Sequence, residues 1–320
     1  MLIFSGNSNE LLAGNIAREL GAELGDASVE RFSDGEVRVR IEESVRGADT
    51  FVVQSTCPPV NENLMELLVM IDALKRGSAG RIVAVIPYYG YARQDRKSKG
   101  REPISAKLVA NLITSAGADR VLAMDLHADQ IMGFFDIPVD HLPARRIIAS
   151  HFLDHDLQGD DVAVVSPDVG GLDEAKSMAD ELNATLAIIA KRRRRPNQVE
   201  AIEVIGDLEG KRAILLDDMV DTAGTVCLGA QMLTERDAAA VYCAATHPVL
   251  SGPAVDRLKD APFEALVFTN TIPVPENKLF DKMTILTVAP LFADAIDRIH
   301  RDESVSKCLA RQSARQKRMF

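Results

Sequence analysis

The 320-residue chain contains no tryptophan, and aromatic residues make up only 5% of it. That scarcity argues against stacking platforms for single-stranded nucleic acid, which need aromatic faces along a basic groove. A cationic surplus is missing as well: 37 Lys and Arg stand against 47 Asp and Glu, a formal net charge of -10. Such a balance speaks against broad nucleic-acid or anionic-membrane binding while leaving room for a local basic pocket. The four cysteines (Cys57, Cys227, Cys243, Cys308) lack metal-type spacing. They read as reduced thiols packed as small apolar groups in a cytoplasmic protein. Met1-Leu2-Ile3-Phe4-Ser5-Gly6 has no basic stretch leading into an apolar one, so no signal peptide is evident. No apolar run approaches the roughly 20 residues that cross a bilayer.

What the chain does hold is an ordinary globular composition, 47% hydrophobic and 26% charged, at a length that suits about two domains. Short apolar runs (Thr50–Gln54, Arg81–Pro87, Val121–Met124) predict buried strands. Leu64, Leu67, Leu68, Ile71 and Leu74 between the first two recur at helical spacing. This alternation predicts parallel sheets flanked by helices. Glu36–Ile41 instead alternates polar and apolar residues, as an antiparallel ribbon or edge strand does. Near residue 146 the pattern restarts, with Val162–Pro167, Thr185–Ala190 and Ala213–Leu216 as strands. Two tandem α/β domains of similar topology follow, 1–145 and 146–320. An echo between Gly117–His127 and Asp237–His247 suggests internal duplication.

Ala213-Ile214-Leu215-Leu216 is a buried-strand run that should stop at Asp217 and Asp218. The loop Asp221-Thr222-Ala223-Gly224-Thr225 then leads into the helical pattern from Cys227. A strand-to-helix loop presents unpaired N–H groups and the positive end of a helix dipole, which suits a phosphate. The paired acids beside it suit sugar hydroxyls or a magnesium ion. Five further loops carry chemistry-bearing residues. Tyr91-Ala92-Arg93-Gln94-Asp95-Arg96-Lys97 offers planar phosphate-matched forks after a strand, or else a solvated charged loop. His127 and Asp168 lie just beyond strand ends, either as structural residues or beside a hydrated metal. Phe32-Ser33-Asp34-Gly35-Glu36 is a hairpin turn whose carboxylates and aromatic face also suit a nucleoside. Lys191-Arg192-Arg193-Arg194-Arg195 should be a loop after a strand. It reads as a nucleic-acid patch, a solvated charge run or cations for a polyphosphate transition state.

The acids and loop from Asp217 to Thr225 resemble the phosphoribosyl-diphosphate motif of type I phosphoribosyltransferase-fold proteins. Taken with Asp125-Leu126-His127-Ala128, Gly133–Asp140, Ser166-Pro167-Asp168, Lys191-Arg192-Arg193 and Asn270-Thr271-Ile272-Pro273, the chain resembles the ribose-phosphate diphosphokinase family of bacterial class I type from Leu2 to about Ser306. Tyr89 departs from the usual phenylalanine, His141 from a common asparagine and Met132 from a polar residue; Lys307–Phe320 is a longer basic tail.

The resemblance implies an α/β fold of two tandem type I phosphoribosyltransferase-like domains, each a mainly parallel sheet flanked by helices, with the last helix packed on the N-terminal domain. It implies diphosphoryl transfer from ATP to the C1 hydroxyl of ribose 5-phosphate. Lys191 and Arg193 would be catalytic, with Arg193 also touching the sugar phosphate. Phe32, Asp34, Gly35, Glu36, Arg93 and Gln94 would bind ATP, with Asp34 and Glu36 reaching across from a neighbouring subunit. Asp217, Asp218, Asp221, Thr222, Ala223, Gly224 and Thr225 would hold ribose 5-phosphate, and His127 and Asp168 would lie by Mg2+. A homohexamer, activation by phosphate and inhibition by ADP are implied too, with neither nucleic acid nor membrane as partner. The substrates would meet between two nests of main-chain amides and cations, one per half. A phosphoribosyltransferase and a non-catalytic regulatory relative are the rival expectations.

Overall fold

The computed structural model describes residues 1–192 and 201–306. Arg193, Arg194, Arg195, Pro196, Cys308 and the rest of the basic tail lie outside the described residues. The chain folds as two compact units. One contains Met1–Pro143, Thr271–Pro273 and the described residues from Thr287 onward; the other contains Ala144–Asn270 and Val274–Leu286.

In the first unit the order is β1 (Leu2–Ser5), α1 (Glu10–Glu19), β2 (Ala27–Arg31), β3 (Val37–Ile41), β4 (Asp49–Val53), α2 (Val60–Arg76), β5 (Arg81–Ile86), α3 (Ser105–Ala116), β6 (Arg120–Met124) and β7 (Val139–Leu142). The strands β1-β4-β5-β6-β7 form a parallel sheet in that spatial order. Helices cover both faces, so residues such as Val83, Val85, Leu122 and Met124 have no polar side to present. The expected ribbon is present: β2 and β3 pair antiparallel as a separate two-stranded sheet. Its side chains are half-buried and exposed in alternation along β3, matching the polar–apolar pattern of the sequence.

The second unit runs α4 (Arg145–Asp154), β8 (Val162–Ser166), α5 (Leu172–Leu182), β9 (Thr185–Arg192), β10 (Ala201–Ile205), β11 (Arg212–Val220), α6 (Gly224–Thr234), β12 (Ala240–Pro248), α7 (Ala254–Asp260), β13 (Ala265–Thr269) and β14 (Met283–Leu286). The closing helix α8 (Ala289–His300) belongs to the first unit and packs against α1. The seven-stranded sheet has the order β10-β9-β8-β11-β12-β13-β14, parallel except for β10.

The units repeat one plan. Leaving α4 aside, each runs strand, helix, three strands, helix, strand, helix, two strands. The spatial orders β1-β4-β5-β6-β7 and β8-β11-β12-β13-β14 correspond strand for strand. They differ in the second and third strands: β2 and β3 stand apart as a ribbon, whereas β9 and β10 join the sheet beside β8. This correspondence corrects the echo read from sequence. The echo equates β6 with β12, but by element order β12 corresponds to β5 and β6 to β13.

Candidate functional site

In the second sheet the chain goes from β8 outward to β9 on one side and later returns to β11 on the other. Connections therefore leave in opposite directions at β8 and β11, and open α/β sheets bind ligands in the crevice at such a point. Asp168 follows β8, and Asp217 to Thr225 occupy the carboxyl end of β11.

The strand does not stop at the acids as expected. β11 continues through Asp217 and Asp218 to Val220, because β12 accompanies it as far as the Val220–Pro248 pair. On the other side, pairing with β8 ends at Leu215. Beyond that residue β11 has a neighbour on one side only, so the acids sit on a strand end beside the crevice. Asp217 Oδ1 accepts the Asp218 amide at 2.9 Å. Burial, then the adjacent Asp218 carboxylate, and more weakly Asp168, raise the Asp217 carboxyl well above the usual carboxylate range. Asp217, Asp218 and Asp168 are thus brought into one electrostatic group.

The loop after β11 is built to leave its amides bare. The carbonyls of Val220, Asp221 and Thr222 are taken from outside by Leu250 N at 3.0 Å, Ser251 N at 2.9 Å and Arg257 Nη1 at 2.9 Å. In a trans peptide the next N–H points opposite to the carbonyl. Each of these bonds therefore turns the following amide away from the 250–257 segment. Ala223 adopts a left-handed conformation (φ 61°) and the helix α6 begins at Gly224. Among the described residues, the N–H groups of Thr222, Ala223, Gly224 and Thr225 have no acceptor. The first turn of α6 contains no acid, whereas α5, which follows Asp168, carries Asp173 and Glu174 there. An anion is favoured at the start of α6 by dipole and donors together. Asp168 Oδ1 accepts the Gly171 amide at 3.1 Å, and its side chain is exposed.

Lys191 and Arg192 are not in a loop. They end β9 and pair with Ile202 and Ala201 of the antiparallel β10. The strand is imposed by β10, which comes later in the chain, so the basic run by itself gives no sign of it.

In the first unit, Arg93 and Gln94 lie in an exposed loop after β5. The loop starts under tight constraint. Gly90 N donates to Thr56 Oγ1 at 2.6 Å, and a Cβ on Gly90 would lie 2.4 Å from the Thr56 carbonyl oxygen. The Tyr89 hydroxyl, absent from the more usual phenylalanine, donates to the Ala106 carbonyl at 2.9 Å. The Tyr91 hydroxyl donates to Asn61 Oδ1. The Gln94 side chain accepts from the Ser105 hydroxyl, which fixes it at the start of α3.

His127 lies three residues past β6, just beyond the strand as expected. Asp125 has φ 36° and breaks the strand, and His141 Nε2 accepts the Leu126 amide at 3.1 Å. His127 is exposed and belongs to the first unit, Asp168 to the second.

The Phe32–Glu36 turn closes the ribbon. Phe32 N donates to the Glu36 carbonyl and Gly35 N to the Phe32 carbonyl, both at 2.9 Å, with Gly35 at φ 95° as the turn requires. Phe32 is 50% exposed, with the Arg38 guanidinium 5.8 Å from its ring centroid. Asp34 Oδ1 caps the Glu36 amide at 3.1 Å, and both acids are exposed.

Two supports of these loops went unread in the sequence. One is Arg257. The other is Glu66, only 1% exposed, whose carboxylate accepts from Asn7 N and Asn7 Nδ2 at 3.2 Å and from Gln54 Nε2 at 2.9 Å. Arg31, next to Phe32, lies 3.7 Å from it, and Asn7 also donates to the Val29 carbonyl at 3.1 Å, so this buried acid ties the ribbon to the sheet. The signal for Glu66 was an acid among the apolar positions of α2; Arg257 left none.

The position matching the phosphate loop by element order, between β4 and α2, is Gln54-Ser55-Thr56-Cys57-Pro58-Pro59. Gln54 to Cys57 are buried, the Gln54 and Thr56 amides donate to the Val85 and Tyr88 carbonyls at 2.9 Å, and both prolines lack an N–H. At the matching position, then, the first unit has no row of consecutive open amides like that of Thr222–Thr225.

No helix among the described residues is long and apolar enough to cross a membrane. Nor do any three His, Cys, Asp or Glu side chains among them group as a cage for a metal.

Residues 1–117 match the N-terminal domain of ribose phosphate pyrophosphokinase, and residues 192–310 match the phosphoribosyl synthetase-associated domain. The chain is 61% identical over 305 residues to a ribose-phosphate pyrophosphokinase of Caldanaerobacter subterraneus subsp. tengcongensis, covering 95% of this chain and 96% of that one. It is 58% identical over 304 residues to that of Listeria ivanovii, covering 95% of each. The crystal structure of phosphoribosylpyrophosphate synthetase from Mycobacterium smegmatis superposes with a TM-score of 0.89 at 46% identity, covering 94% of this chain and 99% of that chain. With both halves matched in order and identity sustained across nearly its whole length, the chain belongs to the ribose-phosphate pyrophosphokinase family.

Proposed function

We infer that this protein transfers the diphosphoryl group of ATP to the C1 hydroxyl of ribose 5-phosphate, giving 5-phosphoribosyl 1-diphosphate and AMP for nucleotide biosynthesis. The sugar oxygen forms a bond to the β-phosphorus while the bond from that phosphorus to the bridging oxygen of AMP breaks, and the hydroxyl proton is released. Such a transfer demands alignment and charge neutralisation from the protein more than covalent chemistry. The observation that carries the reading is the row of open amides at Thr222–Thr225 beside the paired acids of β11, in a chain of this family. The amides and the Thr222 and Thr225 hydroxyls hold the 5-phosphate, with Asp221 alongside. Asp217 and Asp218 accept from the ribose hydroxyls. Arg93 and Gln94 bind the ATP phosphates or ribose. Phe32, Asp34, Gly35 and Glu36 recognise the nucleoside of a neighbouring subunit, which accords with an aromatic ring and two acids left exposed on a ribbon tip. Lys191 and Arg193 stabilise charge on the phosphoryl group in transit.

The donor set fits Mg2+ rather than a metal held by protein alone. Mg2+ keeps several waters and binds through one or two carboxylates plus substrate phosphates, and Asp168 offers an exposed carboxylate of that kind. His127 would act through a bound water. Asp168 and His127 would hold a bound Mg2+, which would supply Lewis-acid neutralisation of charge on the ATP phosphates. A homohexamer, phosphate activation and ADP inhibition rest on the family resemblance. A cytoplasmic location accords with Cys57, Cys227 and Cys243 being unbridged.

The test is incubation with ATP, Mg2+ and ribose 5-phosphate. AMP formation strictly dependent on the sugar is expected. Pyrophosphate release from phosphoribosyl diphosphate on adding a nucleobase would assign a phosphoribosyltransferase instead, and absence of turnover a binding protein.

A further inference from the structure

Arg257 lies in α7, exposed, 35 positions along the chain from Thr222. Among the described residues its guanidinium has no carboxylate partner; its one hydrogen bond is the 2.9 Å donation from Nη1 to the Thr222 carbonyl. The same Nη1 stands 3.5 Å from where a Cβ on Gly224 would be. The residue's own main chain is tied to the helix it serves, since the Cys227 thiol approaches the Arg257 carbonyl at 3.5 Å. The neighbouring carbonyls of Val220 and Asp221 are held by main-chain amides of Leu250 and Ser251, which no side-chain replacement removes. Lys278 Nζ in turn holds the Leu250 carbonyl at 2.9 Å. The Thr222–Ala223 peptide is the member of the series whose orientation depends on one side chain. It is also the peptide that leads into the left-handed Ala223, a conformation that a residue with a Cβ adopts only at a cost and that therefore needs an external hold.

We propose that Arg257 is a positioning residue for the sugar phosphate: by anchoring the Thr222 carbonyl it keeps the Ala223 amide turned toward the 5-phosphate of ribose 5-phosphate. The proposal rests on the function inferred above. Arg257 does not touch the reacting atoms, so its loss alters capture of the sugar more than turnover.

The experiment compares steady-state kinetics of the wild type, Arg257→Ala, Arg257→Gln and Arg257→Lys with each substrate varied in turn. A hydrogen bond from a charged donor is of a size that changes an equilibrium by roughly tenfold or more. Arg257→Ala should raise KM for ribose 5-phosphate by about that factor, leaving KM for ATP within about twofold and kcat little changed. Arg257→Lys, which keeps a cationic donor, should recover part of the loss, and Arg257→Gln less. A KM for ribose 5-phosphate within about twofold of wild type in Arg257→Ala overturns the proposal, as does a parallel rise for both substrates. Should the alanine variant fail to fold by circular dichroism, the same split measured in the lysine and glutamine variants decides. A wild type without sugar-dependent AMP formation would sink the functional reading itself, whereas an active wild type with an indifferent Arg257 sinks only this inference.

Discussion

Replacing Asp217 by asparagine should make the protein more stable and less active, in a way that depends on pH. The carboxyl is held above its ordinary value near 3.8 by burial first and by Asp218 second. A raised folded-state value means that the native protein binds the proton more tightly than the unfolded chain does. The favourable contribution of the neutral carboxyl is therefore complete below the unfolded value and is lost as pH rises through the folded one. Asparagine keeps the shape and can still accept the Asp218 amide through Oδ1, but it carries no charge at any pH. Relief of one strained functional position is typically worth about 1 kcal/mol, which for a unit of this size is roughly 3 °C in Tm. Thermal unfolding would be followed by circular dichroism in ligand-free, metal-free buffer from about pH 4 upward, because the gap opens as pH rises above the unfolded value near 3.8. The variant should match wild type at the acid end and exceed it at the alkaline end. Meanwhile kcat/KM for ribose 5-phosphate should fall roughly tenfold or more, the size of a lost charge-assisted hydrogen bond. An asparagine variant less stable than wild type at alkaline pH, or a gain that does not vary with pH, would refute the picture of a carboxylate held ionised at a cost.

Lys191→Ala should lower turnover by ~10²–10³ while weakening ATP binding far less, as loss of one preorganised donor does; near-normal turnover would remove Lys191 from the transition state. His127→Ala should shift the magnesium dependence of the rate to higher concentration, and an unchanged titration would count against any part in holding the metal. Gly90→Ala forces a methyl into the Thr56 carbonyl and should destabilise by about 1–3 kcal/mol, the usual cost of overpacking. Because the displaced segment leads into Arg93 and Gln94, KM for ATP should rise with it; a variant of wild-type Tm would show that the loop yields freely.

The parallel sheets were legible because strands buried on both faces must be apolar at every position, as Val162–Val165 and Ile82–Ile86 are. The Asp34-Gly35 turn was legible because it needs a residue tolerant of positive φ between two alternating runs. The phosphate loop could be located, but its wiring could not. That β11 carries on through two acids depends on β12, and polar residues at the end of a run give no hint of the neighbour that holds them in a strand. Likewise Lys191 and Arg192 owe their strand to β10, which arrives later in the chain. Arg257 looks like any exposed helical arginine until the fold carries it to Thr222. Glu66 looks like a misplaced charge until Asn7, Gln54 and Arg31 converge on it. Local pattern fixes elements, whereas contacts between distant segments decide which groups are spare.

The segment from Gln54 to Pro59 has a bearing on stoichiometry. A chain made of one topology used twice would be expected to seat two equivalents of a pentose phosphate. With the Gln54 and Thr56 amides already committed, Gln54 to Cys57 buried and two imino acids following, the earlier copy has no run of consecutive open donors for such a guest to grip. Each polypeptide should therefore saturate with a single sugar phosphate. The repeated architecture thus serves two ends, one half presenting the open amides of Thr222–Thr225 and the other using the same scaffold to present Arg93 and Gln94.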